Sequence, residues 1–360
     1  MTLPLSSAPD SVCLLRLSAI GDITHALPVL RTLQHHWPQT NVTWIIGKNE
    51  HALLSEIDGV EFIIFDKSLG FRAYREVRHQ LAGHRFDVLL HMQVSLRASL
   101  TSLFIRAGIK LGFDRARAKD LQWLFTNERI VAASTRQHVV DSFIEFPKRL
   151  GLDAVMRWDL PVAEHALDSV QHLVNGDRLL VINPCAVAKS RNWRNWNAEG
   201  YAAVADYAAQ HHGMTVVLSG GPASLERDMA HAILAICRHK PLDLVGRTSL
   251  PQLVALLQLA DAVIAPDTGP AHIASALGTP VIGLYAATNP QRAAPYNFKH
   301  YVVNRYPEAL KKYCELSVDQ APWGKRIHND ECMSLIKPED VNRMLDRVLR
   351  DSDSAQNNFL

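Results

Sequence analysis

Short apolar runs alternate with longer amphipathic segments along most of this chain. Residues 12–17 (VCLLRL) read as a buried strand, and 23–37 as a helix that Pro38 ends. Further strands are expected at 42–46, 61–65 and 87–92. Residues 71–81 have helical spacing, with Phe71, Tyr74, Val77 and Leu81 on one side and arginines on the other. Helices are expected again at 96–107 and 138–150. Between 156 and 177 the pattern breaks, at Pro161 and in the polar run 165–169. It then resumes: strands at 179–183, 215–219 and 243–245 alternate with helices at 197–212, 225–239 and 249–260. A last helix covers 338–349, and the polar stretch 351–358 is expected to be disordered. Strands that alternate with helices call for an α/β fold, a parallel sheet covered on both faces. The break sets the expected division into domains: 1–165, 166–337, and a C-terminal helix and tail, 338–360.

One stretch stands out, residues 262–285 (AVIAPDTGPAHIASALGTPVIGLY). Two apolar runs flank Asp267, Thr268, Gly269, Pro270, Ala271 and His272, which read as a tight turn feeding a helix, with Pro270 in its first turn. A helix N-terminus that follows a parallel strand presents free N–H groups and about half a positive charge, which suits a phosphate or diphosphate. An ordinary turn capped by Asp267 and Thr268 fits the same residues.

Composition narrows the class. The 360 residues suffice for two domains, and 48% hydrophobic with 21% charged residues is the balance of a globular protein in water. A net charge of +2 gives no case for nucleic acid. Five scattered cysteines without CxxC spacing look reduced, as in a cytosolic protein. Neither a signal peptide nor a run of eighteen apolar residues is present, and no HExxH spacing suggests a metal. The first strand-to-helix turn (LSAIGD) lacks GxGxxG, and GxxxxGK[ST] is absent, which disfavours nicotinamide oxidoreductases and P-loop enzymes. That turn does place an acid, Asp22, at the lip of the first strand.

Three blocks carry a family resemblance. Residues 17–28 (LSAIGDITHALP) look like a GDhhHxLP segment. Residues 194–201 (RNWNAEGY) are similar to a K/R-x-W-P-x-x-x-aromatic segment, with Asn197 in place of proline and Arg194 in place of the commoner lysine. Residues 267–272 are similar to a DTG-x-x-H block. In this order the chain resembles the ADP-heptose:lipopolysaccharide heptosyltransferases of Gram-negative bacteria. The resemblance implies a GT-B fold, two Rossmann-like domains whose parallel sheets face a central cleft. It implies an inverting transfer of heptose from ADP-L-glycero-D-manno-heptose to the lipid A–Kdo inner core of lipopolysaccharide, at the cytoplasmic face of the inner membrane. No cofactor, metal or nucleic acid is expected. A related transferase using another nucleotide sugar or acceptor, or a non-catalytic homologue, would share these blocks.

By the same resemblance Asp22 is the general base, although a helix N-cap fits it too. His25, one turn on, either meets the acceptor or packs on its own helix. Arg194 would stabilise the departing diphosphate, since guanidinium groups pair bidentately with phosphate oxygens; a loop arginine stacked on Trp193 or Trp196 is the alternative. Lys189 and Arg191 are further candidates for that contact. Thr268, Gly269 and Pro270 would receive the diphosphate or the sugar, Asp267 would hold sugar hydroxyls, and His272 would reach the phosphate. Glu226 would take the ribose hydroxyls or only support its helix N-terminus. Residues 67–119 are rich in cations, among which Arg97, Arg115 and Arg117 are the expected acceptor contacts. The basic run also suits an anionic membrane surface, while arginines such as Arg72, Arg75 and Arg78 fit a solvated helix face equally well.

Overall fold

A computed structural model describes residues 2–132, 136–174, 178–186 and 192–357, and the chain forms two compact units, Met1–Pro161 and Val162–Leu360. The first holds strands β1 (Ser11–Leu15), β2 (Asn41–Gly47), β3 (Val60–Phe65), β4 (Phe86–His91), β5 (Ala107–Gly112) and β6 (Glu128–Arg129). Its helices are α1 (Ile20–His36), α2 (Lys48–Leu54), α3 (Arg72–Gln80), α4 (Leu96–Ser102) and α5 (Val139–Leu150). The strands pair in parallel in the order β3-β2-β1-β4-β5-β6. β1 is buried from Val12 onward because it lies in the middle of a sheet covered on both faces. Cys13, Leu15 and Leu17 pack with Ala73 and Val77 of α3 and Ala98 of α4, while α1 and α5 pack against each other.

The second unit repeats that plan without repeating the sequence. It contains β7 (Leu179–Ile182), β8 (Thr215–Leu218), β9 (Leu242–Asp243), β10 (Ala262–Pro266), β11 (Val281–Tyr285) and β12 (Val302–Asn304). Its helices are α6 (Glu164–Gln171), α7 (Ala198–His212), α8 (Ser224–Ile236), α9 (Leu250–Leu259), α10 (Gly269–Leu277), α11 (Pro290–Ala293), α12 (Tyr306–Cys314) and α13 (Pro338–Asn357). The order β12-β11-β10-β7-β8-β9 is again parallel throughout. Numbered within each unit, both sheets read 3-2-1-4-5-6, the doubly wound order. Each therefore has a switch point, between β1 and β4 in the first unit and between β7 and β10 in the second. There the loops leave in opposite directions and open a crevice at the carboxyl ends of the strands.

Several elements differ from the expected ones. The helix read at 96–107 stops at Ser102, and β5 follows, with Ile109 and Leu111 buried on either side of the less buried Lys110. α6 lies in the stretch read as a break, where Ala166 and Val170 supply a buried face. The stretch 351–358, expected to be disordered, continues α13 as far as Asn357. Side-chain bonds hold it: Tyr301 donates to Asp351 at 2.9 Å, and Arg178 pairs with Asp353 at 2.7 Å. α13 also packs on α7, where Tyr207 and His212 both meet Asp346.

Candidate active site

In the first unit the switch point is built by the end of β1 and the start of α1. α1 begins at Ile20, so Asp22 is not its N-cap but the third residue of its first turn, where its carboxylate accepts from the Ala19 N–H at 3.4 Å. An acid here also meets the positive end of the helix dipole. The stronger partner is Arg16, whose Nη2 lies 2.6 Å from Asp22 Oδ2. Arg16 is buried, donates from Nη1 to the Met92 carbonyl just past β4 at 2.6 Å, and stands 5.0 Å over the Phe143 ring. His25 Nδ1 is 3.8 Å from the other carboxylate oxygen. Burial alone would push the Asp22 carboxyl up, but Arg16 first, then His25, outweighs it and holds the group well below the usual carboxylate range. The Asp22 side chain remains 37% exposed, so it is ionised and reachable.

His25 itself is 4% exposed and lies edge-on to His138, which caps α5 by accepting from the Val140 N–H. Its surroundings are those of a residue beneath Asp22 rather than beside solvent. Gln93 ties the two strand exits together, accepting from the N–H groups of Leu17 and Ser18 at 2.6 and 3.2 Å. Neither Arg16 nor Gln93 is marked by a sequence motif. Arg16 sits inside an apolar strand run, and only a charge in such a run could have signalled it.

A cavity of about 230 Å³ opens over the carboxyl ends of β1, β2 and β3. Leu17, Ser18, Lys48, Glu50, Lys67 and Arg97 line it. Arg97 is exposed on the first turn of α4, whose cap is Ser95. Glu50 is 7% exposed, and burial pushes its carboxyl up despite its own backbone N–H and the Lys67 charge. The other two arginines are engaged elsewhere. Arg115 stands 5.0 Å over the Trp123 ring, and Arg117 pairs with Asp114 and with Glu145, the latter at 2.5 Å.

In the second unit β10 runs straight into Asp267. Arg194 Nη1 donates to the Asp267 carbonyl at 2.7 Å and lies 3.6 Å from its carboxylate. His272 Nε2 is 3.6 Å from the other carboxylate oxygen, and Thr288 adds a side-chain hydrogen bond. Burial opposes ionisation of Asp267, but His272, Arg194 and Thr288 outweigh it and lower its carboxyl below the ordinary value. The loop that presents Arg194 is braced by Asn195, which accepts from the Ala186 N–H at 2.8 Å, and by Asn192, which accepts from the Arg194 N–H at 3.0 Å.

Thr268 is the N-cap residue of α10, yet its side chain makes no capping bond. Its hydroxyl donates instead to the Ala186 carbonyl at 3.3 Å. Pro270 has no N–H, so Gly269 and Ala271 are the first-turn donors that could meet an anion. Glu226 lies in the first turn of α8 with its carboxylate close over Gly220 and Gly221. It also stands near Cys185, whose thiol burial and the Glu226 charge push up to about 12. Trp196 is 1% exposed and donates to the Ile336 carbonyl, so it is packing. Lys189 and Arg191 lie outside the described residues. The structure thus gathers Arg194, Asp267, Thr268 and His272 at one strand end.

The profile of glycosyltransferase family 9 (heptosyltransferase) matches residues 74–318. The chain is 40% identical over 338 residues to the lipopolysaccharide core heptosyltransferase OpsX of Haemophilus influenzae, spanning 93% of this chain and 96% of the relative. Its fold is similar to that of Escherichia coli ADP-heptose lps heptosyltransferase II, with a TM-score of 0.73 and 22% identity over 96% of this chain and 99% of the other. The E. coli heptosyltransferase WaaC, solved with ADP, gives a TM-score of 0.70 and 20% identity over 94% and 99%. Both neighbours are GT-B heptosyltransferases, and the two doubly wound units described above have that architecture.

Proposed function

This chain belongs to glycosyltransferase family 9, the heptosyltransferases, and we propose that it transfers heptose from ADP-heptose to the inner core of lipopolysaccharide with inversion at the anomeric carbon. The observation that carries this reading is the Arg194–Asp267 pairing at the N-terminus of α10. It offers a fixed guanidinium and two backbone donors in one place, which is what a leaving diphosphate needs.

In the reaction an acceptor hydroxyl attacks the anomeric carbon while the bond from that carbon to the β-phosphate oxygen breaks. ADP leaves with the electron pair, and the hydroxyl proton passes to Asp22. Arg194 and the first turn of α10 take the charge that develops on the diphosphate. Asp267 is too acidic and too near Arg194 to serve as a phosphate contact; its part is to fix Arg194 and His272 and to accept from sugar hydroxyls. Glu226 accepts from the ribose hydroxyls. On the acceptor side, Arg97 and Lys67 meet the anionic groups of the lipid A–Kdo core at the cavity, and His25 holds Asp22 in place. Arg115 and Arg117 are held by Trp123 and by Asp114 and Glu145, so neither is given a part in acceptor binding.

Work on a lipid-linked acceptor places the enzyme at the cytoplasmic face of the inner membrane, against its anionic surface. No helix among the described residues is long and apolar enough to cross a membrane, and the association proposed here is a peripheral one. The test is turnover by the purified chain of ADP-heptose with a panel of truncated core acceptors. ADP binding without heptosyl transfer to any of them would sink the reading, and turnover of a UDP- or GDP-linked sugar instead would redirect it.

A further inference from the structure

Four large apolar side chains of the first unit stand in water, two of them next in sequence to residues that line its cavity. Phe71 is 89% exposed, Leu103 60%, Leu96 56% and Leu69 39%. Chain continuity ties them to the cavity rim, since Lys67 and Ser68, just before Leu69, and Arg97, just after Leu96, are all lining residues. Ring contacts join the rest. Tyr74 lies 6.5 Å from Phe71 and 6.5 Å from Phe104, the neighbour of Leu103. The structural need for these residues is already met from the other side, where Ala73 and Val77 bury α3 against the sheet.

The surrounding charges are mostly cationic, although Asp66 and Glu50 also line the cavity. Arg72 and Arg75 flank Tyr74 on the exposed side of α3, Arg97 follows Leu96, and Arg106 is exposed just before β5, with Glu76 the acid of this stretch of α3. A rim of cations around exposed aromatic and leucine side chains is unsuited to the core of a protein interface, where charge is depleted. A second copy of the chain would set this rim against itself across a twofold axis, cation facing cation. An anionic bilayer satisfies both components at once. Amphipathic rings and leucines settle at the head-group level, and each cation near the surface adds to binding.

We propose that the turn at Leu69 and Phe71, together with Leu96 and Leu103, seats the first unit on an anionic phospholipid surface and brings the cavity rim to the lipid head groups. This rests on the membrane-surface part of the function proposed above, and gives it a specific footprint. It follows that a lipid-borne acceptor is delivered in two dimensions to the rim that holds Lys67 and Arg97, whereas a deacylated acceptor has no use for the footprint.

Cosedimentation of the full chain with vesicles of equal parts phosphatidylethanolamine and phosphatidylglycerol tests this, with Phe71→Ser and Leu103→Ser as variants. The native chain binds these vesicles, and each variant binds about tenfold more weakly, the loss that removing one large apolar side chain from such a contact implies. Both variants turn over a deacylated acceptor at the native rate. If both variants bind vesicles as tightly as the native chain does, the footprint is wrong while membrane association stands. If the native chain ignores anionic vesicles, association and footprint fall together. If instead Phe71→Ser abolishes a concentration-dependent dimer in sedimentation velocity, the face belongs to a second copy and the proposal is overturned.

Discussion

Arg16 Nη2 lies 2.6 Å from Asp22 Oδ2, and Arg16 is a buried cation whose other terminal nitrogen is spent on the Met92 carbonyl. Arg16 comes from the end of β1 and Asp22 from the first turn of α1, so the switch point of the sheet delivers an ion pair rather than a lone acid. The pair fixes the carboxylate's direction and its protonation state together.

Asp22→Asn should therefore lower kcat by about 10²–10⁴-fold, the usual range for a positioned acid–base group, with the KM for ADP-heptose little changed. Steady-state kinetics with a saturating acceptor decide it, and near-native kcat would remove Asp22 from the chemistry.

Arg16→Met keeps a long side chain over Phe143 but removes the charge that depresses the Asp22 carboxyl. The Asp22 pKa then rises toward the ordinary carboxyl value of 3.8, so the acid limb of kcat/KM moves to higher pH. A pH–rate profile measures this. A loss of activity with an unmoved limb would mean that Arg16 serves only the fold.

For Arg194 the expected split is different. Arg194→Ala removes the diphosphate's cation and leaves the Asp267 carboxylate, 14% exposed, without its guanidinium. We expect kcat/KM to fall about 10²–10³-fold, as when one donor to a developing oxyanion is lost. Arg194→Lys should recover only part of this, because an ammonium lacks the fork that grips both Asp267 and a phosphate. Equal rates for the lysine variant and the native chain would show that charge alone matters.

The alternation of buried strands and amphipathic helices was legible in the sequence because parallel strands are apolar throughout and helices are not. What one dimension hid was whatever depends on strand order. Arg194 and Asp267 are 73 residues apart in the chain and meet only because β7 and β10 are neighbours in the sheet. Arg16 reads as an oddity within a strand until α1 folds back over it. β5 was lost in the helical pattern that precedes it, and three-residue β12 is too short to show a period. The motif residues themselves were readable as a set, but their pairing was not: Thr268 holds the N-cap position of α10 but its hydroxyl donates to the Ala186 carbonyl.

The lowered Asp267 carboxyl makes a stability prediction. A carboxyl more acidic in the folded than in the unfolded chain stabilises the fold above its unfolded value, near 3.8, and that contribution disappears as pH falls through the folded value. Asp267→Asn should thus lower Tm at neutral pH, with the gap to the native chain narrowing below about pH 4. Thermal melts across pH 3–7 check it. A gap constant down to the acid limit would mean that the loss comes from packing and not from charge.

The last prediction concerns Glu226, whose place depends on a missing side chain. An added Cβ at Gly221 would lie 2.6 Å from Glu226 Oε2, too close for the carboxylate to stay where it is. Because the atom it meets is the far end of a flexible side chain, Gly221→Ala should fold normally and simply displace Glu226. If Glu226 accepts from the ribose hydroxyls, Gly221→Ala and Glu226→Gln should weaken ADP to a similar degree, and the double variant should add little, since coupled residues do not contribute independently. The shift in Tm produced by saturating ADP reports this for all three proteins, as a ligand stabilises the fold in proportion to its affinity for it. Additive losses would mean that Gly221→Ala acts other than by displacing Glu226, and no loss in Glu226→Gln would leave Glu226 the simpler part of holding the N-terminus of α8.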